Sequence, residues 1–427
     1  MLDYLMDSQT AVNIISHDEK MSTQDSADRT GKAAGKTVVK GSPNLNRLAV
    51  LKAIRTHGPV SRSDLPKMTG LSAGAVSQIT AEFLSRGFIS ETKEKTTRSG
   101  RPRVFLKISG EGPIVVGARM TSRDTLTTTF VDLSGNIRCK AEVPFTHRDT
   151  LEALALSVAE AIGRSVDDSG YPKSQIEHVG VALPALVDSS RGVVHFMAMF
   201  PQEPVTFADI LAERLDIPVT IENGTTSLAR AEHWFGRAQN RNTFTLVNVG
   251  LAIDSAMYSD GLLRTGAHGL APEIGHVKTN HAADAEPCYC GAHGCGTAYA
   301  SQYAIVRRAG LLDGFDLDPD AIVKCVRQFN ELQEKAAAGD EAIRVLFEAA
   351  GDHLGRLVAN HINLADPGFI LITVPDDTYT ALVETAFSKA IKDNAMPVLL
   401  ALTEIRFSAQ LENWHSLATA ALALENF

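Results

Sequence analysis

Cys288-Tyr289-Cys290-Gly291-Ala292-His293-Gly294-Cys295, with Glu273-Ile274-Gly275-His276 a dozen residues upstream, is the most chemically constrained stretch of the chain. Three thiols bent around two glycines have little core in which to hide, and a nearby imidazole completes the four soft donors that tetrahedral Zn2+ takes in a closed structural site. The residues read as a zinc site of three cysteines and one histidine: His276, Cys288, Cys290 and Cys295. Two other readings stay open: His293 as the fourth donor, or three buried thiols with no metal. With no open coordination position, such an ion stiffens a loop and performs no hydrolysis.

Outward from this loop, strand-like runs alternate with helical ones. Ile114–Gly117, Thr127–Val131, His178–Pro184, Val219–Glu222 and Phe244–Val249 read as strands, with a helix over Thr150–Arg164 and another that follows the Val219–Glu222 strand and runs through Ala231. This alternation predicts an α/β architecture, and its length predicts two lobes, residues 113–235 and 236–427. No internal repeat is visible. The chain of 427 residues is 44% hydrophobic with a net charge of −9, which excludes fibrous, collagenous and wholly disordered classes. No stretch approaches the ~18 consecutive apolar residues of a bilayer span, and the first thirty residues lack a basic start followed by an apolar block. Five cysteines, three of them in the loop, argue for a reducing compartment. The expectation is a cytoplasmic protein with no membrane partner.

Charge is distributed unevenly. Leu45–Lys107 holds twelve Lys and Arg against four Asp and Glu, the preceding tail is close to neutral, and the remaining 320 residues are strongly acidic. A small basic module is therefore joined to a large acidic one. Residues 1–43, rich in Ser, Thr, Asp, Lys and Gly, read as a disordered tail with one short apolar patch, Ala11–Ile15.

Within the basic module, at residues 45–108, Leu45, Leu48, Leu51 and Ile54 recur at helical spacing and stop at Gly58-Pro59. A second helix is expected over Ser61–Met68 with Ser61 as its cap, then a turn at Thr69-Gly70-Leu71, then a third helix from Ser72 to a stop at Gly87. Phe88–Glu91 and Arg103–Ile108 read as strands flanking a polar loop, a wing. Val76, Ile79 and Phe83 take the apolar face of the third helix, which assigns Ser72, Ala73, Gly74, Ser77, Gln78 and Thr80 to a DNA major groove. Arg98, Arg101 and Arg103, around Gly100 and Pro102, suit phosphates and a narrow minor groove.

Together these features resemble the ROK family of repressors and sugar kinases. The winged helix-turn-helix with its Arg-Pro wing, Glu273–His276, the cysteine loop, Leu183–Asp188, Ile221-Glu222-Asn223, Gly261–His276 and Asn363–Pro367 carry the resemblance. It implies a two-lobed actin-like ATPase (ribonuclease H-like) fold, a sugar cleft between the lobes, homodimers or homotetramers, and zinc on the four residues named above. It also implies sugar contacts at Asn223, Glu273 and His276. Where the family's kinases place an aspartate base after the asparagine, this chain has Gly224, which cannot accept a proton. Gly117–Met120, Val249–Asp254 and Ile372–Pro375 depart from the glycine-rich phosphate cradles, and Arg119 has the wrong sign for Mg2+. A sugar-binding glutamate after the last cysteine is replaced by Thr297, leaving one carboxylate of a pair missing. For Glu273, orienting His276 is an alternative to touching a ligand.

These residues lead to a DNA-binding transcriptional regulator, a repressor of carbohydrate-related genes without kinase activity, gripping an inverted repeat of double-stranded DNA and responding to a sugar or derivative. An ATP-dependent sugar kinase with an added DNA-binding module and an effector-independent DNA-binding protein are the alternatives.

Overall fold

A computed structural model describes residues 14–15, 43–93, 104–120, 124–146, 149–197, 200, 203–314, 319–410 and 412–425. The basic module begins with the helix Pro43–His57, two residues earlier than periodicity suggests. Ser61 does not cap a helix. Val60–Ser61 instead form a short strand against Phe105 and Leu106, and the second helix starts only at Leu65. The local capping pattern at Ser61 is overridden because the returning wing strand satisfies its backbone, while the Ser61 hydroxyl donates to Asp64 at 2.7 Å.

The third helix, Ala73–Ser85, starts as expected, with Ser72 Oγ accepting from the Ala75 amide at 3.2 Å. At its far end Gly87 adopts φ 72°, the Phe88 amide bonds back to Phe83 O at 2.8 Å, and the two rings meet at 5.5 Å. That left-handed turn reverses the chain into the strand Ile89–Lys93, antiparallel to Val104–Ile108. Val50, Leu51, Ile54, Leu65, Val76, Ile79, Phe83 and Leu106 close the core beneath.

Besides the short antiparallel pair Leu186–Asp188 and Val193–Phe196, the acidic part holds two larger sheets among the described residues. One runs Val219–Asn223, Ile176–Leu183, Ile114–Met120, Thr125–Asp132, Ile137–Pro144 in spatial order. Its last strand, half exposed and carrying Arg138, Lys140 and Glu142, escapes the apolar-run reading because it is an edge. The other runs Ile14–Ile15, Glu404–Ala409, Phe369–Val374, Phe244–Val249, Ile253–Ser259, Leu262–Arg264. Leaving aside Ile14–Ile15, both sheets have the same plan: an antiparallel meander of three strands, with two parallel strands added beside the first. A structural repeat thus exists where the sequence displays none. Most of the tail expected to be disordered lies outside the described residues, but Ile14 and Ile15 pair in parallel with Ile405 and Arg406.

The chain divides into two compact units, residues 23–239 with 412–427, and residues 240–411 with 1–22. The C-terminal helix Glu412–Leu424 accordingly packs with the earlier unit, not with the residues just before it. It lies so close to the sheet that a Cβ on Gly117 would fall 2.0 Å from Thr419 Oγ1, and one on Gly180 2.3 Å from Thr419 O. Gly117 serves this approach.

Candidate functional site

The cysteine loop is built by its backbone. Gly291 at φ 87° and Gly294 at φ 79° make two tight reversals, the Cys288 amide donates to Ala292 O, and Lys278 and Cys295 form an antiparallel bridge. Arg307 clamps the outside, donating to Pro287 O at 2.8 Å and to Glu286 at 2.7 Å. The loop brings His276, Cys288, Cys290 and Cys295 together with one donor atom from each within 4.8 Å of the others. A tetrahedral ion about 2.3 Å from each sulfur sets thiolates about 3.8 Å apart. Cys290 and Cys295 stand at 3.8 Å, and Cys288 Sγ is 3.5 Å from His276 Nδ1. His293 is exposed and outside the group, and His276 is the histidine that stands with the three cysteines. Burial pushes the Cys288 thiol up to about 12, so a thiolate there needs a bound cation beside it. The four residues fit a metal ion.

His276 turns its other nitrogen, Nε2, toward the Glu273 carboxylate at 3.9 Å, and Tyr289 packs on the ring edge-on at 5.2 Å. Burial, followed by the Asp254 carboxylate, pushes the Glu273 carboxyl up to about 7. This arrangement favours Glu273 as the partner that fixes the imidazole's orientation. Lys278, which sequence reasoning missed, donates from Nζ to Cys295 Sγ at 2.9 Å.

Asn223 caps the helix Gly224–Phe235. Its Oδ1 accepts from the Thr225 and Thr226 amides at 2.8 and 3.4 Å, and its Nδ2 donates to Ala185 O at 3.3 Å. Both ends of the amide are occupied. A Cβ on Gly224 would meet nothing within 4 Å, so the missing aspartate is not excluded by crowding. Thr297 is buried, with Oγ1 accepting from the Ile253 amide at 3.0 Å. Where the resemblance puts phosphate loops, the ends of three adjacent strands are laced together: Gln410 and Thr373 both donate to Asn248 Oδ1, at 2.5 and 3.0 Å. Burial lowers the Arg119 pKa, and burial together with that guanidinium pushes His415 down to about 4.

On the third helix of the basic module, Ser72, Ala73, Gly74, Ser77 and Gln78 are exposed together. Thr80 is a correction: it is 0% exposed, and its hydroxyl donates back to Val76 O at 2.8 Å, so it reads no base. Thr80 lies one turn after Val76 and one turn before Phe83, so it shares the buried stripe of the helix. Arg98, Arg101 and Arg103 lie outside the described residues. Sequence reasoning also missed the contact between the module's first helix and the helix Gly224–Phe235. Arg55 donates to Trp234 O and lies 4.1 Å from the Phe235 ring centre, and Lys52 Nζ meets His233 Nε2 at 2.5 Å.

A winged helix-turn-helix attached to paired ribonuclease H-like sheets, with a loop that gathers one histidine and three cysteines, defines a DNA-binding regulator on an actin-like ATPase scaffold. The chain belongs to the ROK family, whose sequence profile matches residues 121–415. It is 28% identical over 369 residues, 83% of this chain and 88% of the other, to an N-acetylglucosamine repressor of Escherichia coli O6:H1. It is 26% identical over 389 residues, 88% and 92%, to the DNA-binding transcriptional repressor Mlc of Escherichia coli K12. Among solved structures, a ROK family transcriptional regulator, a homologue of the Escherichia coli MLC protein, shares the fold with TM-score 0.73 at 22% identity, covering 90% of this chain and 96% of that one. Among the described residues no helix is long and apolar enough to cross a membrane.

Proposed function

We propose that this protein is a repressor of carbohydrate-related genes, built from a DNA-binding module at 45–108 and a ROK domain at 113–427, that binds an inverted repeat as a homodimer and has no kinase activity. Ser72, Ala73, Gly74, Ser77 and Gln78 meet base edges, Arg98, Arg101 and Arg103 meet the backbone and minor groove, and a symmetric dimer sets the spacing of half-sites. The observation that supports the loss of catalysis is the side-chain lacing of Asn248, Thr373 and Gln410 together with Gly224: bonded side chains stand at the strand ends where a glycine-rich cradle would leave room for a phosphate, and a sugar hydroxyl has no base at position 224. His276, Cys288, Cys290 and Cys295 would hold Zn2+ as a structural ion, which would tie the cysteine loop to the turn that follows Glu273.

Asn223, Glu273 and His276 are the candidate sugar contacts. A second reading, DNA binding without an effector, is supported by the occupied Asn223 amide and the Thr297 hydroxyl that holds the Ile253 amide. The test has two arms. Purified protein retards its own upstream DNA, and Gln78→Ala weakens that binding at least tenfold; no retardation by the wild type defeats the operator reading. A panel of hexoses and pentoses including N-acetylglucosamine, added with ATP, yields no phosphate transfer. A sugar in the panel that releases the DNA selects the effector-responsive reading, and none doing so selects the constitutive one.

A further inference from the structure

We propose that Lys278 is a positioning residue of the metal centre: its ammonium, donating to Cys295, neutralises the loaded site and holds that sulfur in place. The inference rests on the zinc reading above and concerns a residue outside the ligand set. Three thiolates and a neutral imidazole around Zn2+ leave a net charge of −1, and the sulfur of Cys295 is wholly buried, whereas Cys290 is exposed. A buried anionic sulfur without a donor is costly, and a charge-assisted hydrogen bond removes much of that cost. Lys278 Nζ stands 2.9 Å from Cys295 Sγ.

The backbone explains how it gets there. After the turn Ile274–His276 the chain is extended at Val277, with φ −64° and ψ 136°, and on either side of it His276 Nδ1 lies 3.5 Å from Cys288 Sγ and Lys278 Nζ 2.9 Å from Cys295 Sγ. His276 and Lys278 therefore address the same loop, one as ligand and the other as counter-charge. The Thr279 amide bonds to Gly294 O and the Gly296 amide to Val277 O, both at 2.9 Å, which pins Lys278 beside Cys295. Glu273 supports the imidazole from one side, and Lys278 supports a thiolate from the other.

The test uses the full-length protein as purified, with zinc counted per chain and its apparent affinity read by competition with a chromogenic chelator. Lys278→Met and Lys278→Gln are expected to weaken zinc binding about 10- to 100-fold, the range for lost outer partners of metal ligands. Lys278→Arg, which keeps a cationic donor, is expected to stay within a few-fold of wild type. In the cobalt(II)-substituted protein, Lys278→Met keeps the tetrahedral ligand-field bands while the sulfur-to-metal charge-transfer bands move to lower energy, because the sulfur loses a stabilising proton donor. A merely structural role would leave those bands in place. Wild-type zinc near one per chain, with Lys278→Met and Lys278→Gln matching it in affinity and spectrum, overturns the proposal for Lys278. Wild-type protein with no zinc overturns the metal reading beneath it.

Discussion

Thr80 and Gln78 are two residues apart on one helix and have opposite fates. Gln78 extends into solvent with both amide functions available for a base edge, whereas Thr80 spends its hydroxyl on the carbonyl of Val76. Replacing Thr80 with Ala removes a buried hydrogen bond and a methyl-sized volume. The expected result is a loss of about 1 kcal/mol in unfolding free energy, read by denaturant titration, with the pattern of base preference in operator binding unchanged. A change of base preference in Thr80→Ala would restore Thr80 to the reading face.

At the scale of elements, the helix Gly224–Phe235 joins two chemistries. Asn223 caps its first turn, and its last turn presents His233, the Trp234 carbonyl and the Phe235 ring to the first helix of the basic module. Trp234 Nε1 is held by Glu425 at 2.8 Å, so the receiving surface is fixed from behind. Arg55 contributes both a hydrogen bond and a cation over an aromatic face, each on the order of 1 kcal/mol when shielded from water. Arg55→Ala is expected to leave the module folded but loosened at this contact. Hydrogen exchange would show faster exchange across Pro43–His57 and little change in the sheet of Ile114–Met120; unchanged exchange in the first helix would show that the contact contributes nothing.

For the molecule as a whole, buried imidazoles set the response to acid. His178 and His361 are buried, each bonded to a threonine hydroxyl, and burial lowers both to about 4. His233 is lowered to about 3, first by burial and then by Lys52 and Arg230. Unfolding returns each to near 6.5, so below that pH the unfolded chain binds more protons than the folded one. Their contribution is fully present above about 6.5 and is lost as pH falls toward 4, at up to about 1.4 kcal/mol per pH unit for each group. Chemical denaturation between pH 7 and 5 should show this decline. His361→Gln, which removes one titrating ring and keeps a polar partner for Thr245, should flatten the slope, and an unaltered slope would remove His361 from the account.

The amino-acid sequence by itself determined the features encoded within a short window: the metal donors clustered in one loop, the cap at Ser72, the reversal at Gly87 and the residue, Gly224, at which a proton acceptor is lacking. Turn chemistry and helical period act over a few residues, so they are readable without a partner. Tertiary structure alone decided that Ser61 enters a strand, that Thr80 faces inward, that Lys278 reaches Cys295, that two sheets repeat one strand order, and that the last helix returns to Gly117 and Gly180. Each of those outcomes depends on which distant segment covers a side chain or satisfies a backbone amide, as Lys52 and His233 meet across 181 residues, and no local pattern specifies such a partner.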